Sequence, residues 1–196
     1  SGQAYLPGNV LTKLAPGSGS KSPSSPTFGP EVTFGRSIAD AYPGETFALI
    51  KYALGGSKLA TDWNPSTGAT YTAFRNTVAN GLAALTNAGY TYEIAGMLWM
   101  QGESDSSPAY ANAYQANLTA FIADIRSRYG IIPFVICETW RNEGDSTHPG
   151  TLGNIVSAAQ QNIANTISRV GFVSTRSFTF QDDYHLNAQE IGRASV

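Results

Sequence analysis

The chain has 196 residues, of which 42% are hydrophobic and only 13% charged, and its formal net charge is -2. That length suits one domain with a sizeable core. The charge balance offers no basic footprint for nucleic acid, and no apolar run reaches the ~18 residues of a membrane span.

The elements follow from periodicity and punctuation. Residues 15–30 are rich in Pro, Gly and Ser and read as an irregular surface loop rather than a domain linker. A helix is expected from Glu31 to Ala41, with Pro30 at its first position and Pro43-Gly44 ending it. Residues 46–53 read as a buried strand running into Gly55-Gly56. Apolar residues at 74, 78, 82 and 85 mark a helix over 71–88, closed by Gly89. A strand follows at 92–100. A helix is expected over 108–129, with Tyr110, Tyr114, Leu118, Phe121 and Ile125 on one face and Gly130 at its end. Residues 131–139 read as a strand, 152–167 as a helix and 170–174 as a short strand. Asn187 is placed to cap a final helix over 187–194. This alternation of helix and strand predicts an α/β domain with a parallel sheet covered on both faces. No strand is expected before Glu31.

Several classes of function lack support. There is no Gly-x-Gly-x-x-Gly or Walker pattern for a nucleotide. His148 and His185 are the only histidines and stand far apart, so no metal-ligand cluster is expected. Cys137 is the only cysteine, which excludes an intrachain disulfide; inside the apolar run 131–137 it reads as a core thiol. The charged fraction is half the usual figure of about 25%. Ser, Thr, Asn, Gln and Gly fill the surface instead, a habit of secreted carbohydrate-active proteins. The absence of a signal segment fits a mature secreted form or a cytoplasmic protein.

Two segments carry chemistry. The apolar run Ile94 to Met100 ends abruptly in Gln101-Gly102-Glu103-Ser104-Asp105. A buried parallel strand delivers polar groups in this way to the carboxyl edge of a sheet, where open α/β folds place their sites. Near the C-terminus stands Asp182-Asp183-Tyr184-His185. An imidazole accepts a proton near neutral pH, and a carboxylate three residues earlier on a turn can fix its tautomer. The alternative for His185 is a surface histidine beside an acidic turn. Glu103 is either a site carboxylate or a loop cap. Gln101 can offer its side-chain amide to a developing oxyanion or hydrogen-bond loop backbone. Asp105 reads as a loop or capping residue. Backbone N–H groups of Gly55-Gly56-Ser57, at another strand end, can complete an oxyanion hole or simply make a tight turn. Trp99 and Trp140 either line a sugar-binding cleft or pack in the core.

The motifs also resemble a family. Trp99-Met100-Gln101-Gly102-Glu103-Ser104-Asp105 is similar to the Trp-x-Gln-Gly-Glu-x-Asp block of the SGNH-hydrolase superfamily, in the branch of sialate O-acetylesterases and family-six acetylxylan esterases. Residues 28–35, containing Gly29-Pro30-Glu31, resemble its helix start, and 51–59, containing Gly55-Gly56-Ser57, its Lys-Tyr-Ala-x-Gly-Gly segment. Asp182 to Gly192 resembles its Asp-x-x-His-Leu ending. The four blocks stand in family order. The resemblance implies a flavodoxin-like α/β/α sandwich that hydrolyses acetyl esters on sugars without metal or cofactor. By the same resemblance His185 is the base, Asp182 and Glu103 are the supporting carboxylates, and Gln101 and Gly56 are the oxyanion donors.

The family's nucleophile is the serine of a Gly-Gln-Ser-Asn block after the first, central strand. The chain instead begins Ser1-Gly2-Gln3-Ala4-Tyr5, with alanine where the serine belongs. No serine of 18–25 follows a strand into a helix as a strained nucleophile turn requires. The nucleophile is therefore unassigned. The expectation is that native residues precede Ser1 or fall between Gln3 and Ala4, so that this single esterase domain lacks its first strand and nucleophile block. The alternatives are an inactivated variant, a non-catalytic carbohydrate-binding relative, or a short-chain lipase or thioesterase of the same superfamily. The expected partner is an acetylated oligo- or polysaccharide, not nucleic acid or a membrane.

Overall fold

A computed structural model describes residues 3–6, 10–14, 29–139, 150–180, 185–187, 189 and 190. In chain order these form β1 (Gln3–Leu6), β2 (Val10–Lys13), α1 (Glu31–Ala41), β3 (Ala48–Leu49), α2 (Ala69–Asn87), β4 (Met97–Trp99), 3-10 turns at Glu103–Asp105 and Ala111–Ala113, α3 (Tyr114–Tyr129), β5 (Phe134–Cys137), α4 (Gly150–Thr166) and β6 (Val170–Val173). The chain divides into two compact units, one of Ser1–Ala53, Ala73–Tyr92 and Leu186–Val196, the other of Leu54–Thr72 and Glu93–His185.

In the first unit the strand order is β2-β1-β3. β1 runs antiparallel to β2, with Gln3 opposite Lys13, and parallel to β3, with Gln3 opposite Ala48. β1 and β2 correct the expectation of no strand before Glu31. Each is four residues long, too short to show a period of two, and their strand character comes from pairing with each other. α1 has the expected bounds, with Pro30 at the cap position, one residue earlier than expected. Glu31 in its first turn accepts the Gly29 N–H at 3.1 Å and the Lys51 ammonium at 2.9 Å. A carboxylate there also complements the positive end of the helix. The end of α2 is closed as expected. Gly89 N–H donates to Thr86 O and Tyr90 N–H to Leu85 O, both at 3.0 Å, the paired bonds of a Schellman turn.

In the second unit β4, β5 and β6 form a parallel sheet with β5 in the middle. Met97 stands opposite Phe134, and Phe134 opposite Val170. The strands are shorter than their apolar runs. Nor are the runs buried throughout, as expected of the one before Gln101: Trp99 is buried, but Leu98 and Met100 are exposed, because a strand forms where a neighbour supplies hydrogen bonds and apolar character alone does not bury it. α3 buries Tyr114, Leu118, Phe121, Ile122 and Ile125, four of them the residues expected on one face. Tyr110 falls before the helix, in the turn that leads into it.

Phe121, fully buried, holds the aromatic core of this unit together. Its ring centroid lies 4.5 Å from Trp99, 5.5 Å from Tyr71, and 6.3 Å from both Trp63 and Phe134. Trp63 meets Trp99 edge-on at 5.1 Å. These contacts join β4, β5, α3 and the start of α2 through one side chain. Cys137, at the end of β5, is buried, and burial pushes its thiol up to about 11. It is a core thiol, as its apolar run suggests. Phe121→Ala is expected to cost about 3–5 kcal/mol of stability, because the truncated ring leaves a cavity that four neighbouring rings cannot close. Urea denaturation checks this, and a loss under about 1 kcal/mol would show that the cluster repacks.

Candidate active site

The parallel sheet of the second unit gathers polar side chains at the carboxyl ends of its strands. After β4 the chain passes through Met100 into Gln101, Gly102 and the 3-10 turn Glu103–Asp105. A Cβ on Gly102 would overlap Thr139 Oγ1 and lie 2.8 Å from Val156 Cγ1, so only glycine lets this turn pass so close to the end of β5 and to α4. The Gln101 carbonyl accepts the Tyr114 hydroxyl at 2.5 Å and the Gln160 amide at 3.0 Å. Burial pushes the Tyr114 hydroxyl above its ordinary range, so it stays a neutral donor.

Asp105 is fully buried. Its Oδ2 accepts Leu59 N–H and the Gln101 amide, each at 2.7 Å, and its Oδ1 accepts Ala60 N–H at 3.2 Å. Gln101 Nε2 also donates to Ser57 O at 3.0 Å. Ser57 Oγ donates to Leu54 O at 2.6 Å and accepts the Trp63 indole N–H at 2.8 Å. The segment containing Gly55-Gly56-Ser57 is thus fastened directly to the Gln101–Asp105 turn, and the two sequence blocks become one structure. Gly56 has φ +70°, a left-handed conformation that suits glycine, and the space around its Cβ position is open. Among the described residues, the N–H groups of Gly55 and Gly56 enter no hydrogen bond. Lys58 Nζ lies 6.0 Å over the Tyr110 ring beside this turn.

Other expected residues have different surroundings. Glu103 is half-buried, and its Oε2 accepts Gly102 N–H at 3.0 Å. His185 is exposed. Asn187 caps the turn after it as expected, its Oδ1 accepting the N–H groups of Gln189 and Glu190 at 3.0 Å. Asp182 and Trp140 lie outside the described residues. Trp99, one of the two tryptophans considered for a sugar cleft, packs in the core at 4% exposure. Gln101, expected as an oxyanion donor, has both hydrogens of its amide committed, one to Ser57 O and one to Asp105.

Sequence reasoning also passed over Glu138. It follows β5 directly and is 1% exposed. Its carboxylate accepts the Ser157 hydroxyl, the Ser174 hydroxyl at 2.6 Å, Thr175 N–H at 3.1 Å and Arg176 Nε at 3.0 Å. This anchors the segment after β6 to the end of β5. The signal was present in the sequence: Ile136-Cys137-Glu138 sets a carboxylate at the end of an apolar run, as Gln101 and Glu103 follow Met100. Among the described residues no His, Cys, Asp and Glu group together in a way that could hold a metal, and no helix is long and apolar enough to cross a membrane.

Comparisons with known proteins bear on the family and the fold. The model of the family "carbohydrate esterase, sialic acid-specific acetylesterase" matches residues 14–193. The chain belongs to that family, and at this level it is a carbohydrate esterase, a carboxylic ester hydrolase. Its fold is similar to that of an Arabidopsis thaliana protein solved by X-ray crystallography, with a TM-score of 0.80 at 18% identity over 99% of this chain and 76% of that one. It also resembles a carbohydrate acetylesterase from Xanthomonas citri, with a TM-score of 0.62 at 14% identity over 87% of this chain and 40% of that one. These likenesses establish the flavodoxin-like α/β class. No curated protein matches the sequence.

Glu138→Ala is expected to cost about 3 kcal/mol or more, because it leaves two hydroxyls, a backbone N–H and Arg176 without their buried acceptor. Arg176→Ala should cost less, since that side chain is 53% exposed and Glu138 keeps its other donors. Urea midpoints of the two variants check the order; equal losses would place the weight on the ion pair instead.

Proposed function

We propose that the protein is a secreted serine esterase that removes acetyl groups from a carbohydrate, of acetylxylan or sialate type. The observation that carries this reading is the bond from Gln101 Nε2 to Ser57 O. It brings two separate family blocks to one sheet edge, with the Gly56 turn facing open space. In the proposed reaction a serine, assigned to no position of this chain, attacks the acetyl carbonyl. The carbonyl π electrons move onto oxygen, and the alkoxide formed accepts the N–H of Gly56. His185 takes the serine proton and returns it to the departing sugar hydroxyl. It then takes a proton from water, whose oxygen attacks the acyl carbon; the acyl–serine bond breaks, and the imidazolium returns the proton to the serine oxygen as acetate leaves. Glu103 or Asp182 supports the imidazolium; the family ending Asp-x-x-His favours Asp182 and the position after β4 favours Glu103. Tyr110, half-buried beneath Lys58, is the aromatic face this edge offers to a sugar ring. The low charged fraction of 13% supports the secreted setting.

His185→Ala should lower hydrolysis of p-nitrophenyl acetate and of acetylated xylan by about 10²–10⁴-fold, the usual contribution of a general base. The far-UV circular dichroism should not change, because this histidine is exposed. Near-normal turnover would overturn its role. Intact mass spectrometry after treatment with a fluorophosphonate tests the serine. One adduct supports serine dependence; no adduct, with glycan binding but no acetate release, would point to a carbohydrate-binding relative.

A further inference from the structure

The Gly56 turn has no regular secondary structure of its own, yet an oxyanion donor must be held within about half an ångström of its productive position. Ser57 is secured through its side chain and through its carbonyl, which accepts from Gln101. Leu59 and Ala60 are secured by the carboxylate of Asp105. Gln101, which links both sets of bonds, donates to the same carboxylate. Lys58 is held locally, its N–H donating to Asp62 Oδ2 at 2.8 Å, but the bonds that tie the turn to the Gln101–Asp105 segment, through Ser57 O, Leu59 and Ala60, all lead to one side chain. Asp105 is 0% exposed, and among the described residues no cation pairs with it. A buried carboxylate needs donors, and here all three are N–H groups whose positions it thereby sets. Its two oxygens point at the Leu59–Ala60 backbone and at Gln101, so neither is directed at a substrate.

We infer that Asp105 is the positioning residue of the oxyanion turn, acting through Gln101, Leu59 and Ala60 and never on the substrate. This rests on the proposed esterase function and extends it. Gln101 becomes a strut between the carboxylate and Ser57, and Gly56 the donor that the strut aims. Loss of the carboxylate should misplace the donor in the transition state while leaving ground-state binding of the sugar largely as it was.

Asp105→Asn keeps the shape and removes the charge, and its amide sets a second donor against Gln101 or Leu59. Two readouts test it. The first is kcat on p-nitrophenyl acetate per fluorophosphonate-titrated site, a measure that misfolded molecules do not enter. It should fall about 10²-fold, as when an oxyanion donor is lost, with KM within about twofold. The second is amide hydrogen exchange at Leu59 and Ala60, which should speed up by at least about tenfold as their acceptor weakens. Unchanged exchange, or an unchanged kcat per titrated site, would overturn the inference, as would a rise in KM without a fall in kcat. If the wild-type protein neither hydrolyses acetyl esters nor takes the label, the esterase reading fails, and exchange alone then decides whether Asp105 holds the turn. If Asp105→Asn does not fold, Gln101→Met takes its place. It should lower kcat about tenfold at similar KM while Leu59 and Ala60 keep their protection, because Asp105 still accepts from them. Normal kcat in that variant would overturn the strut.

Discussion

A carboxylate without access to water must be met by hydrogen-bond donors, or it costs several kcal/mol. The second unit is organised around two such groups. Asp105 draws in Leu59 from 46 positions away in the chain, and Glu138 draws in Thr175 from 37 away. Each follows a strand of the parallel sheet and captures backbone from a segment with no regular structure, Asp105 the N–H groups of Leu59 and Ala60 and Glu138 that of Thr175. The carboxyl edge of the sheet is therefore built from loops that cannot drift without exposing a buried charge. That is the property an acyl-transfer site needs, because preorganised donors stabilise a transition state without reorganising during the reaction.

The polar layer rests on an apolar one. Trp99 ends β4 directly before the turn that carries Gln101, and its ring lies against Phe121 and Trp63. Trp63 in turn donates its indole N–H to Ser57. One aromatic cluster thus supports both sides of the Gly56 turn: Trp99 from the strand below, and Trp63 from the segment that follows the turn. Its rings are buried and serve geometry. Tyr114 and Gln160 extend the same support, since both donate to the carbonyl of Gln101 from helices α3 and α4.

The proposed chemical roles divide accordingly. His185 is exposed and reachable, Glu103 is half-buried, and Gly56 faces open space. Gln101, Asp105 and Glu138 are buried and fully engaged. Groups that act on a substrate must be accessible to it, and groups that hold others in place must be shielded from competing water. The division explains why the same short block, Gln101 to Asp105, contains both a candidate site carboxylate and a buried structural one.

The sequence by itself determined the local features. α1 carries the expected bounds, α3 buries the expected face, Gly89 closes α2 and Asn187 caps the segment after His185. Each follows from interactions within a few residues, which periodicity and capping rules encode directly. The order of four motif blocks also determined the family, which the match over residues 14–193 bears out. Only the tertiary structure decided the rest. The pairing of β1 with β2 and β3 depends on partners that short strands do not announce. Trp99 became core, Gln101 a strut, and Asp105 and Glu138 anchors, because burial and hydrogen-bond partners come from segments tens of residues away. A polar residue after a strand is visible in one dimension. Whether it faces water or a distant backbone N–H is fixed only when the chain has packed.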